Sequence, residues 1–442
     1  MKHTAQDIAL QRDKYPHLTD EEFRFMVQQI AGREKLRDKL PTLVQQADWW
    51  FPAGLACEQC SSEFTAQYKV RCAQVVADSY DCFVDLTGGY GVDSFFLSSL
   101  AKEGHYVERD GELCRIAAHN FAASRPHVQI HNTAAEDFLQ TMRTAPASTL
   151  LYIDPARRGV GGSKVFRLED CVPDVTELLP QLLAKSSSLL IKLSPMLDIT
   201  AALRSLGNGF DVHVVAVHNE VKELLLCNSP ALSKGGGTGA GCLNHETMKP
   251  ETLKHETSIK GGGTVAGCLL QSPCGDGAPR ITAVNITGTV ASPQMQTLSF
   301  TYDGERAAEV QWLSAQSVPR YLYEPNAAII KACAFRSVSA RFGLDKLAPN
   351  THLYASDRLL SDFPGRAWEV VRILSGKELK HLAETVAEAT GEETGCAILT
   401  RNYPMTAEQL RKKLRLRDGD TWYIIGARAA DKPTLYLAKR VK

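Results

Sequence analysis

No stretch of this 442-residue chain reaches the run of about eighteen apolar residues that a membrane-spanning helix needs. The opening segment, MKHTAQDIALQRDKYPH, lacks the apolar core of a secretory signal. These absences exclude an integral helical membrane protein and lead to the expectation of a cytoplasmic one. Net charge is lacking as well: 50 Lys and Arg balance 50 Asp and Glu, so the whole-chain charge points to no polyanionic partner. Metal-binding spacing is scarce too. Cys57 and Cys60 form the only CxxC among twelve cysteines, and no second pair lies at zinc-finger distance, so no metal is expected. Without secretory features, the thiols read as reduced rather than as a disulfide frame.

What is present is a soluble composition, 44% hydrophobic and 23% charged, over a length that suggests two to four domains. Residues 1–78 read as helical. In LTDEEFRFMVQQIAG, Thr19 and Glu22 stand at capping-box spacing, and Phe23, Met26, Val27 and Ile30 recur at helical spacing as a candidate buried stripe. SSEFTAQYKVRCAQVVA predicts a second helix, capped by Ser61 or Ser62, with Thr65, Tyr68, Lys69 and Cys72 on one face. That face is too polar for a simple core stripe.

From residue 79 to 228 short β-rich runs (CFVDL, HYVE, VQIH, LLYID, LLIKL) alternate with helical segments, which predicts a mostly parallel α/β sheet. The last two runs, FDVHVVAV and KELLLC, have no helix between them and suggest a closing antiparallel strand. Residues 229–280 break the pattern: KGGGTGAGCL at 234–243 returns as KGGGTVAGCL at 260–269, which we read as a duplicated flexible insertion. A small α+β unit is expected over 281–322 and a further α+β domain over 323–442.

The chemistry concentrates at VDLTGGYGVD, residues 84–93, a strand that ends on Asp85 and runs into a glycine turn. A dinucleotide fingerprint needs GxGxxG, and here Gly89 and Gly91 are followed by Ser94 where the third glycine belongs. S-adenosylmethionine (SAM) fits better as the cofactor. Asp85, Gly89 and Gly91 match the Asp and the last two glycines of a D-x-x-x-G-x-G turn, with Thr87 in place of its first glycine. Asp93 follows at the head of the next helix. Glu108 stands 23 residues past Asp85, near the spacing expected of a ribose-binding acid at the end of the second strand, with Arg109 beside it. After the third strand Glu136 and Asp137 compete for the adenine amine. Ser62, Thr65 and Lys69, upstream of the turn, are candidates for the methionine end.

At LLYIDPARRG, residues 150–159, the chain resembles the D/N-P-P-Y/F motif of amino-group methyltransferases, with Ala156 and Arg157 at the last two positions. With EQCSSEFTAQYK, DLTGGYGVD, KLSPMLDI and NEVKEL, it is similar to the bacterial class I SAM-dependent methyltransferases that carry a C-terminal THUMP-like domain. The resemblance implies a Rossmann-like methyltransferase sheet over 79–228, with an N-terminal helical segment and C-terminal α+β domains, the last of them THUMP-like. It also implies an RNA substrate. Asp154 and the Pro155 carbonyl suit the task of accepting hydrogens from an exocyclic amine. Arg157 joins them at the catalytic edge, and Arg158 and Lys192 are expected to meet the target. Carbon methylation would instead need a cysteine nucleophile, and no motif surrounds Cys171, the nearest downstream.

The neutral total hides an uneven distribution: residues 401–442 hold eleven Lys and Arg against four Asp and Glu. Lys412, Lys413, Arg415 and Arg417 on the expected helix TAEQLRKKLRLRD form a candidate RNA-binding face. Two alternatives stay open: a methyltransferase of proteins or small molecules, and a non-catalytic RNA-binding protein on a SAM fold.

Overall fold

The computed structural model describes residues 4–142, 148–157, 167–207, 209–228, 278–375, 378–390, 395–415 and 417–441. The glycine-rich repeats at 234–243 and 260–269 lie outside them. The chain forms two compact units, one of residues 1–213, 222–279 and 287–294, the other of 214–221, 280–286 and 295–442.

The first unit begins with helices α1 (Ala5–Ala9) and α2 (Asp20–Lys35), each opened by a capping box, Thr4 with Asp7 and Thr19 with Glu22. The apolar stripe expected on α2 is only partly realised: Phe23 is buried, whereas Met26, Val27 and Ile30 are half-buried. The reason is that the inner face is polar and small. Gln28 and Gln29 both donate to the Phe51 carbonyl, and a Cβ on Gly32 would lie 2.3 Å from that of Phe51. Two further helices follow, α3 (Leu55–Gln59) and α4 (Glu63–Val76), and Ser62 caps α4 through the Thr65 N–H.

Strand and helix then alternate as β1 (Tyr80–Asp85), α5 (Val92–Leu97), β2 (Ala101–Glu108), α6 (Gly111–Ala122), β3 (Val128–Asn132), α7 (Ala135–Thr141) and β4 (Thr149–Ile153). A two-residue ladder of β5 (Ala156–Arg157) and β6 (Cys171–Val172) comes next, followed by α8 (Val175–Ala184), β7 (Ser188–Leu193), α9 (Ile199–Leu206), β8 (Asp211–Val217) and β9 (Glu220–Asn228). The sheet runs β9-β7-β4-β1-β2-β3, with β7, β4, β1, β2 and β3 parallel. β9 is antiparallel to β7, the closing strand that the missing helix predicted. The central strands are covered on both faces, which is why β4 reads as the unbroken apolar run TLLYI with every residue buried. The chain leaves β1 toward β2 and returns on its other side at β4. This reversal opens the sheet at the carboxyl ends of β1 and β4, where ligands of open α/β sheets bind.

β10 (Arg280–Thr289) neighbours β11 (Ser292–Thr301), both in the second unit except at 287–294, and α10 (Tyr302–Ala307) follows. The next elements are β12 (Gln311–Trp312), β13 (Tyr321–Pro325), α11 (Ala327–Ala332), α12 (Phe335–Phe342), β14 (Asp345–Ala348), β15 (Thr351–Ser356) and β16 (Gly365–Ile373). Then come α13 (Leu382–Thr390), β17 (Cys396–Arg401), α14 (Ala407–Leu414), β18 (Trp422–Ala429) and β19 (Lys432–Arg440). The eight strands order as β12-β14-β15-β13-β16-β19-β18-β17. Alternate residues of β18 and β19 serve different cores: Ile425 and Tyr436 pack with Leu322, Leu353 and Trp368, while Ile424 and Leu437 pack with Leu382, Val386 and Leu410.

The basic helix expected over 406–418 stops at Leu414. Arg415 takes the left-handed conformation (φ +53°) and closes the helix with its N–H on Arg411 O, so Arg415 and Arg417 leave the helix on which the sequence placed them. The chain beyond the helix end forces this turn: Arg417 O accepts the Cys396 N–H at 3.0 Å, and a Cβ on Gly419 would lie 2.1 Å from Gly395 O.

Candidate active site

Asp85 ends β1 and is 1% exposed. Its Oδ1 accepts the Thr87 N–H at 2.9 Å and its Oδ2 accepts the Ser94 hydroxyl. Burial pushes its carboxyl up to about 7 despite these bonds. The turn after it depends on glycine at two left-handed positions, Gly89 (φ +54°) and Gly91 (φ +85°). It also lies against Tyr106, whose ring a Cβ on Gly88 would meet at 2.2 Å and whose hydroxyl donates to Gly89 O at 2.5 Å. At the end of β2, Glu108 faces the same turn. Its Oε2 accepts the Gly89 N–H and its Oε1 the Asp110 N–H, each at 2.9 Å.

Behind the turn lies a buried charge cluster. Asp93 Oδ2 accepts the hydroxyls of Ser61 at 2.6 Å and Tyr152 at 2.7 Å, while its Oδ1 meets Lys69 Nζ at 3.1 Å. Lys69 is fully buried and also reaches Glu223 Oε2 at 2.8 Å. Burial would raise the Asp93 carboxyl, but the lysines Lys69 and Lys192 hold it below its ordinary value. At Glu223 burial outweighs the same lysines, and that carboxyl is raised. Lys192, on β7, pairs with Asp154 Oδ2. Burial opposes its charge, yet the Asp154 carboxylate keeps the ammonium pKa above its ordinary value. The Asp154 backbone is fixed as well, its N–H donating to Thr87 Oγ1 at 2.6 Å.

A cleft of about 460 Å³ opens over these groups, within the usual size range for small-molecule sites. Its walls are the 85–93 turn, residues 108–110 with Leu113, the segment 133–136, and Asp154 with Ala156. Leu55, Gln59 and Ser61 close one side.

A model of a ferredoxin-like domain matches residues 321–364 and a THUMP domain-like model matches 365–440. The solved structure of a "putative methyltransferase" from Porphyromonas gingivalis W83 is 31% identical over 100% of this chain and 95% of its own, with a TM-score of 0.76. The chain belongs to the class I SAM-dependent methyltransferases that carry a C-terminal THUMP-like domain. Two other solved structures are similar to smaller parts of it. A "putative methyltransferase" from Escherichia coli is 18% identical over 42% of this chain and 96% of its own, with a TM-score of 0.28. A Streptococcus mutans "putative methyltransferase" in complex with SAH is 15% identical over 37% of this chain and 94% of its own, with a TM-score of 0.27. No curated protein matches the chain.

In this methyltransferase the cleft brings together most residues singled out from sequence: Asp85, Thr87, Gly89, Gly91, Asp93, Glu108, Arg109, Glu136 and Asp154 all line it. Asp137 does not line the cleft and is exposed on α7. Thr65 and Lys69 stay behind the wall. Lys69 acts on Asp93 and Ser61 from below, and Thr65 is occupied by the α4 cap, its hydroxyl donating to Ser62 O at 3.0 Å. Lys192, expected to meet the target, instead pairs with Asp154. Arg157 contributes its backbone to the β5–β6 ladder opposite Cys171, and Arg158 lies outside the described residues. Lys412 and Lys413 are exposed on α14, and Arg415 and Arg417 lie beyond its end.

Sequence reasoning missed Ser61, Ser94, Tyr152 and Glu223. Ser94 had a signal that pointed elsewhere: the residue that breaks the dinucleotide fingerprint is the hydroxyl that satisfies buried Asp85. Glu223 lies in NEVKEL, but its partner Lys69 is 154 residues away and no local pattern joins them.

Proposed function

We propose that this methyltransferase uses SAM to methylate an exocyclic amino nitrogen of a base in RNA, either tRNA or rRNA. The observation that carries the reading is Asp154, fixed at the switch point of the sheet by Thr87 and Lys192 and placed on the wall of the same cleft as the glycine turn.

The chain's residues fit that cofactor. Glu108 uses one lone pair on each oxygen for backbone N–H groups and has one more on each for two ribose hydroxyls. Thr87, Gly89 and Gly91 allow close backbone approach, Glu136 suits the adenine amine, and Arg109 flanks the ribose acid. The acids Asp85, Asp93, Asp154 and Glu223 outnumber Lys69 and Lys192, so the cluster favours a cationic ligand. When bound, SAM supplies an electrophilic methyl group on a sulfonium and one positive charge in excess.

On the target side the amine is a weak nucleophile, because its lone pair is delocalised into the base. Asp154 accepts one of its hydrogens and the Pro155 carbonyl the other, which frees the lone pair, and Asp154 then takes the released proton. The Lys192 ion pair orients the Asp154 carboxylate for this role, and its side chain is 34% exposed. Arg157 and Arg158 follow Asp154 in the sequence and are the cations suited to a target phosphate.

An RNA partner is supported by the THUMP-like match over 365–440 and by the cations Lys412, Lys413, Arg415 and Arg417 inside it. Replacing these four with Ala is expected to flatten the salt dependence of RNA binding, by about 0.7 to 0.9 in log K per log salt for each phosphate no longer neutralised. The function itself is tested by mass spectrometry of nucleosides from total tRNA and rRNA of cells with and without the gene. One methylated nucleoside should vanish on deletion and return with the wild type but not with Asp154→Ala. Identical nucleoside profiles would overturn an RNA substrate.

A further inference from the structure

We propose that Cys72, His213 and Cys227 form a buried site for one zinc ion in the first unit of the molecule. The ligands come from three elements, α4, β8 and β9, and one ligand atom from each lies within 4.8 Å of the other two. Cys72 Sγ and His213 Nδ1 are 3.9 Å apart. Tetrahedral zinc, with bonds of about 2.3 Å to sulfur and 2.0 to 2.1 Å to nitrogen, holds such a pair roughly 3.5 to 4 Å apart. The three groups therefore already stand at ligand separation with little contraction needed.

The surroundings agree with a closed structural site. Cys72, His213 and Cys227 are 4%, 5% and 8% exposed, and both cysteines are free thiols. The Tyr68 hydroxyl, one helical turn before Cys72 and itself buried, lies 2.8 Å from the same His213 Nδ1, so a metal would replace that hydrogen bond and leave the tyrosine oxygen beside the fourth position. The charges also balance. Zinc entering the site displaces one proton from each thiol, and two thiolates with a neutral imidazole around a divalent cation leave no net charge in the interior. Two thiolates with one imidazole select zinc among the abundant divalent ions over magnesium, calcium or manganese, which prefer oxygen. The expectation of no metal came from spacing along the chain, which does not see ligands 141 and 14 residues apart.

The site would also have a structural consequence. Cys72 is three residues after Lys69 on α4, so a metal anchoring Cys72 to β8 and β9 would also fix the helix that supplies Lys69 to Asp93 behind the cleft.

The test uses the full-length chain, purified without added metal and dialysed against EDTA, then analysed for bound metal. One zinc per chain is expected, and refolding in Co2+ should give thiolate-to-cobalt charge-transfer absorption. Cys227→Ser should lose both signals, whereas Cys333→Ser, which alters a thiol outside the site, should keep them. If Cys227→Ser fails to fold, the wild type decides alone. Wild-type protein that carries no zinc and gives no charge-transfer band overturns the proposal, and so does a Cys72–Cys227 disulfide found by peptide mass spectrometry in the metal-free protein.

Discussion

Each unit of the molecule buries carboxylates, and the two do so in opposite ways. In the second unit Glu324, 2% exposed, is held by two guanidiniums, with Arg401 Nε on Oε1 at 2.5 Å and Arg366 Nε on Oε2 at 3.0 Å. Cations outnumber the acid there, and both oxygens are satisfied. In the first unit Asp93, Asp154 and Glu223 share Lys69 and Lys192, while Asp85 beside them is met by the Thr87 N–H and the Ser94 hydroxyl, so acids outnumber cations. Burial pushes the Asp85 carboxyl up to about 7 and raises that of Glu223 as well, so two of these acids resist carrying their charge. A complete ion cluster holds a fold together; an incomplete one beside a cleft is poised for a positive ligand.

The contrast can be broken first at its cations. Lys69→Met leaves Asp93 and Glu223 buried without their shared partner and should cost about 3 to 5 kcal/mol of stability, read from denaturant unfolding. Arg401→Ala strips one oxygen of Glu324 but leaves the Arg366 guanidinium on the other, and should cost less, about 1 to 3 kcal/mol. Equal losses would show that the two clusters do not differ in the way described. At the reacting edge, Asp154→Ala should lower methyl transfer by about a hundredfold or more with SAM affinity kept, in line with loss of one preorganised polar group. Full activity in that variant would move the chemistry to another residue. Glu108→Ala should weaken SAM binding by about tenfold, or 1.4 kcal/mol, measured by calorimetry.

A further effect concerns pH. The folded Asp85 carboxyl stands at about 7, above roughly 3.9 for an unfolded chain, so the folded state holds this proton more tightly. Its contribution to stability is fully present below about pH 4 and is lost as pH rises through about 7. Asp85→Asn should flatten this part of the stability profile of the ligand-free protein, and an unchanged profile would place the proton elsewhere.

How much of this was legible in the sequence depends on how local each feature is. The alternation of strands, the turn at Gly89 and Gly91 and the acids Asp85 and Glu108 lie within one βαβ unit, so spacing alone placed them at the cleft. The polar face of α4 was visible as an anomaly, but its partners Glu223 and His213 arrive from β9 and β8, and only the fold brings them near. Periodicity overran the end of α14, because hydrophobic spacing at Leu410 and Leu414 does not register a left-handed cap at Arg415. It also overstated the stripe on α2, where glutamines bonding to Phe51 occupy the inner face. Lys192 lay at the expected edge, but its carboxylate partner could not be read from position.

The central claim is that the cleft beside the acid-rich cluster binds SAM. Calorimetric titration of the wild-type chain with SAM and, separately, with NAD tests it most directly. The account predicts saturable one-to-one binding of SAM, with proton release near pH 7 that disappears in Asp85→Asn, and no comparable binding of NAD. Tight binding of NAD, or no binding of SAM by folded protein, would contradict it.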